Sequence, residues 1–233
     1  MLTCLCCGKQ ETEQLLLRDV LLFKPLLSAT CCHSCHAKLV PLVNEHTCVG
    51  CCRIEIDQTE YCLDCIKWQY NYPEYFFKHT ALFQYNLFLK EWLESFKYKG
   101  DYRLVHLFEQ EIADYFHAKN QKGKYIIPIP ISKKSMNLRG FNQVEELLKS
   151  ARVNYHSALI HVGAGEKQSS KNRKQRMESP QPFILDEDYY NELKDKQIVL
   201  MDDVYTTGRT LFHAAELLRQ ANVATIETFS IAR

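Results

Sequence analysis

The 233-residue sequence predicts an α/β fold, a mostly parallel sheet flanked by helices, preceded by a small cysteine-rich module. Three observations predict it. Short apolar runs alternate with segments of helical period through the larger, C-terminal part of the chain, the pattern of strands joined by crossover helices. All 11 cysteines fall between Cys4 and Cys65, which divides the chain into a module over 1–75 and a domain over 76–233. The apolar run Ile198–Met201 empties into Asp202-Asp203 and then a turn of hydroxyls and glycine before a helical segment.

In chain order, Thr80–Tyr85 reads as a strand, and Leu87, Trp92, Leu93 and Phe96 mark one helix face. A second helix is expected over Arg103–Phe116, where Leu104, Leu107, Phe108 and Ile112 form an apolar stripe. Tyr125–Ile131 is a strand closed by Pro128 and Pro130. Arg139-Gly140-Phe141-Asn142-Gln143 then leads into a helix through Arg152. Strands near Ser157–Val162, Ile198–Met201 and Thr225–Ile231 follow, with a helix over Leu211–Ala221. Parallel sheets of this kind bind ligands beyond the carboxyl ends of their strands.

With 46% hydrophobic and 24% charged residues the chain is a folded protein and not a disordered one. Its net charge is only +1, yet ten Lys or Arg stand against three Glu between Lys133 and Arg176. Such a local excess attracts polyanions, either a small diphosphate or nucleic acid, unless it is simply a solvated face. No apolar run approaches the roughly 18 residues of a spanning helix, and Met1-Leu2-Thr3-Cys4 does not open an export signal. The expectation is a cytoplasmic protein without membrane insertion.

In a reducing compartment the cysteines read as metal ligands and not as disulfides. Four CxxC pairs can be written: Cys4/Cys7, Cys32/Cys35, Cys48/Cys51 and Cys62/Cys65. Each two-residue gap lets a turn aim both sulfurs at one ion, and two pairs complete the tetrahedral shell of structural zinc. The simplest assignment gives the first two pairs to one zinc and the last two to another, with a cross-braced pairing left open. Cys6, Cys31 and Cys52 blur the register of three pairs, and His33 or His36 could replace a sulfur. One or two structural ions are expected. The aromatic stretch after Cys65, with Trp68, Tyr70 and Tyr72, reads as packing against the next domain before it reads as a platform for bases.

The loop after Met201 carries the function. Amides in the first turn of a helix are unpaired and its dipole favours negative charge, so Thr206, Thr207, Gly208, Arg209 and Thr210 suit a phosphate. Gly208 is expected to let backbone approach that phosphate, and the reading requires it to be open to the site. Asp202 and Asp203 are poor phosphate partners but good acceptors for sugar hydroxyls, and able to bear on a divalent cation. Neither GxxxxGK[ST] nor GxGxxG is present, which argues against an ATPase loop or a dinucleotide fold.

This loop resembles the 5-phosphoribosyl 1-diphosphate motif of the phosphoribosyltransferases. The cysteine pairs, Phe96-Lys97-Tyr98-Lys99-Gly100, Pro128-Ile129-Pro130, Arg139 to Gln143, and Gln168 followed by Arg173 and Arg176 extend the resemblance, over nearly the whole chain, to the ComF family and its ComFC-like members. The resemblance implies a type I phosphoribosyltransferase-like fold, with Asp202 and Asp203 as the ribose-hydroxyl and catalytic pair and Thr206–Thr210 as the 5-phosphate cradle. It implies diphosphate binding at Ser132, Lys133 and Lys134, and Arg139, Arg173 and Arg176 as cationic contacts, the last two on a closing loop. Glu178-Ser179-Pro180 stands where the family commonly has an Asn. The implied cofactors are structural zinc, and Mg²⁺ with 5-phosphoribosyl 1-diphosphate. The implied biology is natural transformation, with single-stranded DNA and a competence helicase-like ATPase as partners. Two other readings fit the same residues: an active phosphoribosyltransferase in nucleotide or cofactor salvage, and a zinc-dependent adaptor with a vestigial pocket.

Overall fold

The computed structural model describes residues 2–11, 31–42, 47–54, 60–71, 78–163 and 181–233. Its centre is a four-stranded, all-parallel sheet of β3 (His79–Phe83), β4 (Tyr125–Pro128), β7 (Gln197–Val204) and β8 (Thr225–Ala232), in the order β3-β8-β7-β4. β7 is interior, with Pro128 of β4 opposite its Met201 and Phe229 of β8 on the other side.

Residue alternation sorts the strands onto two faces. Ile126, Val199, Met201, Phe229 and Ile231 meet a helical layer of α3 (Leu87–Tyr98), a 3-10 helix (Tyr102–Phe108), α4 (Glu109–His117) and α6 (Gln143–Ser150). Phe96 and Phe108 are fully buried there. Ile127, Ile198 and Leu200 face the other way, onto α7 (Arg209–Gln220), Trp68 and the cysteines 48, 51, 62 and 65.

Several expectations shift. The Arg103–Phe116 segment is not one helix but a 3-10 helix passing into α4 at Glu109. α5 (Lys133–Arg139) was not expected, because it buries no residue and so has no apolar stripe to read. The strand near Ser157–Val162 is β5 (Leu159–His161), which leaves the parallel sheet and pairs antiparallel with β6 (Phe183–Leu185). In the cysteine module β1 (Leu2–Thr3) pairs with β2 (Gln10–Glu11), and helices α1 (His33–His36) and α2 (Leu63–Asn71) carry the second member of two CxxC pairs.

Candidate functional site

The loop Tyr205–Gly208 joins the carboxyl end of β7 to the 12-residue helix α7. Among the described residues nothing accepts from the amides of Thr206, Thr207 or Gly208, although the neighbouring Tyr205 amide is satisfied by the Ala232 carbonyl at 2.9 Å. Thr206 is exposed and Thr207 buried, with Arg209 and Thr210 half-buried at the helix start.

Gly208 has φ +79° and is itself buried. A Cβ there would collide with the Tyr205 hydroxyl and ring. Contrary to the expectation of an open glycine, its missing side chain makes room for Tyr205 and not for a ligand. The reading that required Gly208 open to the site fails in that form, and only the loop's amides remain for an anion.

The two carboxylates lie at the end of β7 close enough that the Asp203 charge and side chain act directly on Asp202. Asp203 turns into the helical layer, where it forms an ion pair with Lys97 of α3 and accepts from Gln143 Nε2 at 3.1 Å. The Arg139 guanidinium donates to Gln143 Oε1 at 2.9 Å and lies over the Tyr98 ring at 5.0 Å. The Arg139–Gln143 motif is thereby explained residue by residue: Arg139 ends α5, Gly140 caps it at φ 80°, Phe141 packs on Phe96, and Asn142 caps α6 while donating to the Ile129 carbonyl. Lys97 and Gln143 were not singled out in the sequence as site residues. A fixed pairing across 106 positions of chain leaves no local pattern, since Lys97 and Asp203 meet only in the fold.

Asp202 is half-buried and accepts from the Asp203 amide at 2.8 Å. Burial, reinforced by the Asp203 charge, pushes its carboxyl up to about 7, with Lys97 pulling the other way. Ser132 caps α5 by accepting from the Ser135 amide at 3.1 Å, and Lys133 and Lys134 are exposed. β4 ends level with Met201, so the segment leading to these residues starts from the same edge of the sheet as the acidic pair. Arg173 and Arg176, with Gln168 and Glu178-Ser179-Pro180, lie outside the described residues.

The cysteines form two sets of four, and the pairing is sequential, not cross-braced: Cys4, Cys7, Cys32 and Cys35 in one, Cys48, Cys51, Cys62 and Cys65 in the other. In each set all four sulfurs lie within 4.8 Å of one another. Four sulfurs about 2.3 Å from one ion sit roughly 3.8 Å apart, and the Cys7–Cys32 and Cys51–Cys62 separations are 3.6 and 3.7 Å. The sets share a further detail, an amide from the second pair donating to a sulfur of the first: Cys32 to Cys4 at 3.3 Å, Cys62 to Cys48 at 3.2 Å. Both therefore fit a metal ion. His33 and His36 are in neither set, whereas Cys6 and Cys31 sit beside the first, within reach of Cys4.

Buried His79 closes the floor beneath Tyr205. Ser230 Oγ donates to the Ala232 carbonyl at 2.8 Å, so it accepts from His79 Nε2 at 3.0 Å, and Nδ1 is left to accept from Thr228 Oγ1 at 2.9 Å. Burial pulls this imidazole down to about 3, with Arg233 adding to the effect. It is a neutral structural group.

The chain is similar to several known proteins. A family model for the phosphoribosyl transferase domain matches residues 160–233. Competence protein ComFC of Bacillus subtilis is 32% identical over 100% of this chain and 95% of its own length. Competence protein ComFC of Streptococcus pneumoniae is 31% identical, covering 99% of both. Among solved structures, a hypoxanthine phosphoribosyltransferase from Staphylococcus aureus aligns with 55% of this chain and 63% of its own at 16% identity, with a TM-score of 0.31. No helix among the described residues is long and apolar enough to cross a membrane.

Proposed function

Because the chain belongs to the ComFC family of competence proteins, we propose that it serves natural transformation through a domain over 76–233 that binds 5-phosphoribosyl 1-diphosphate, with a zinc-holding module over 1–75. One observation carries the proposal: three amides, of Thr206, Thr207 and Gly208, that meet no acceptor among the described residues lead into the positive end of α7 just after Asp202 and Asp203. The 5-phosphate sits against those amides with the hydroxyls of Thr206 and Thr210, and Asp202 accepts from a ribose hydroxyl. Asp202 is an oxygen ligand of the kind Mg²⁺ takes, and Mg²⁺ would neutralise charge on the diphosphate. Ser132, Lys133, Lys134 and Arg139, with Arg173 and Arg176, supply the remaining cationic contacts. Asp203 acts as a positioning residue, since Lys97 and Gln143 occupy its carboxylate.

Structural zinc in both four-sulfur sets follows from their closed ligand shells, which leave no open position for catalysis. The protein acts in the cytoplasm on incoming single-stranded DNA, with a helicase-like ATPase as partner, and a phosphate-directed component of DNA binding weakens steeply with salt.

Calorimetry with 5-phosphoribosyl 1-diphosphate and Mg²⁺ tests the site. Wild type binds and Asp202→Ala does not, and the same variant lowers transformation frequency in a naturally competent host. Normal transformation by a stably expressed D202A protein defeats the proposal in its pocket-dependent form. Release of diphosphate on adding a nucleobase would favour a salvage enzyme.

A further inference from the structure

The second cysteine set is joined to the anion loop by two side chains that no family motif above includes. Trp68 follows Cys65 on α2, and its Nε1 donates to the Thr207 carbonyl at 3.0 Å while its ring stacks on Phe212 of α7 at 3.9 Å. Arg233 follows β8. Its guanidinium donates to Thr206 O at 3.0 Å, to Cys51 O at 3.1 Å and to Cys51 Sγ at 3.4 Å, and lies over the Tyr205 ring at 4.7 Å. The His79 amide, at the start of β3, donates to Gly50 within the same CxxC turn at 3.1 Å. The first cysteine set has no such link among the described residues; its buried members cluster with Cys6, Cys31 and Phe88.

Two consecutive carbonyls, Thr206 and Thr207, are thus pulled toward the cysteine set. A peptide unit is planar, so holding a carbonyl on one side turns the following amide to the other. The amides that follow belong to Thr207 and Gly208, two of the three that meet no acceptor.

We propose that Trp68 and Arg233 are positioning residues that hold the anion loop open, and that metal in the Cys48/Cys51/Cys62/Cys65 set, by fixing Trp68 and the Cys51 carbonyl, tunes affinity for the phosphorylated ligand. The inference rests on the function proposed above. Metal loss from this set weakens ligand binding, and loss from the first does not.

The test uses the full chain, calorimetry with 5-phosphoribosyl 1-diphosphate and Mg²⁺, zinc counting, and hydrogen exchange of the loop amides. Trp68→Phe, which keeps an aromatic ring and deletes the N–H, should weaken binding about tenfold or more, speed exchange at 206–208 and leave the zinc count unchanged. Cys62→Ser should lose one zinc and weaken binding similarly, whereas Cys35→Ser loses one zinc and binds as wild type. The idea fails if Trp68→Phe matches wild type in both affinity and exchange, or if Cys35→Ser weakens binding as much as Cys62→Ser. Should Cys62→Ser not fold, Trp68→Phe decides alone. A wild-type protein that binds no ligand overturns the functional reading instead, and exchange in Trp68→Phe then decides this one.

Discussion

The two faces of the sheet solve the same problem with different materials. The helical face is closed by α3, α4, α6 and a 3-10 helix over a dense aliphatic and aromatic core, with Phe96 and Phe108 wholly buried. The opposite face has one long helix, α7, and completes its cover with Trp68 and a four-cysteine set. Apolar burial stabilises the first, whereas the second includes four thiols placed as a metal ion would need them. β7 ends in the acidic pair, of which Asp203 is tied to the helical layer through Lys97 and Gln143.

The largest effect expected from this contrast is at Phe108. Its truncation to Ala should cost about 3–5 kcal/mol in chemical denaturation, because the cavity opens in the densest part of the core, and it should leave the zinc count unchanged. Phe108→Ala that unfolds no more easily than wild type would show that the helical face is not the stable one.

The acidic pair gives the next largest effect. Asp203→Asn leaves Lys97 buried without its partner, a loss of about 3 kcal/mol or more, while Asp202→Asn should leave stability equal or higher and abolish ligand binding. Equal destabilisation by the two substitutions in urea melts would show that the Lys97 pair does not set Asp203 apart from Asp202.

How much of this was legible in the sequence depends on whether the cause is local. Strand β7, helix α7, the helices from Leu87 and toward Arg152, and the cysteine pairs come from period, spacing and turn residues within a few positions of one another. β5 was read as a strand correctly, but Leu159-Ile160-His161 carries nothing to say that its partner is Phe183–Leu185 and not the central sheet. α5 escaped because all its residues remain at least partly exposed. Gly208 was read as room for a ligand, since a sequence shows that space is left and not what fills it; Tyr205 fills it.

The smallest effect is one of pH, and two buried groups give it slopes of opposite sign. Asp202 rises from an ordinary 3.8 to about 7, so the folded chain takes up a proton there, and its contribution to stability is full below about 4 and fades as pH climbs through 7. His79 drops from 6.5 to about 3, so folding there excludes a proton, and stability is lost as pH falls below 6.5 toward 3. Between roughly pH 4 and 6.5 the two slopes oppose each other. Asp202→Asn removes one of them, and the variant should lose stability on acidification more steeply than wild type across that window. Ligand binding runs the other way from Asp202's contribution to stability, since only the carboxylate accepts from a ribose hydroxyl or bears on Mg²⁺. A group with a pKa of about 7 is roughly one-tenth ionised at pH 6 and nine-tenths at pH 8, so the Asp202-dependent part of the affinity should rise about tenfold between them. Calorimetry at the two pH values, with the ligand's own phosphate ionisation measured separately, checks it, and an affinity that is flat or falls would mean that the ligand meets a protonated Asp202 or does not meet it at all.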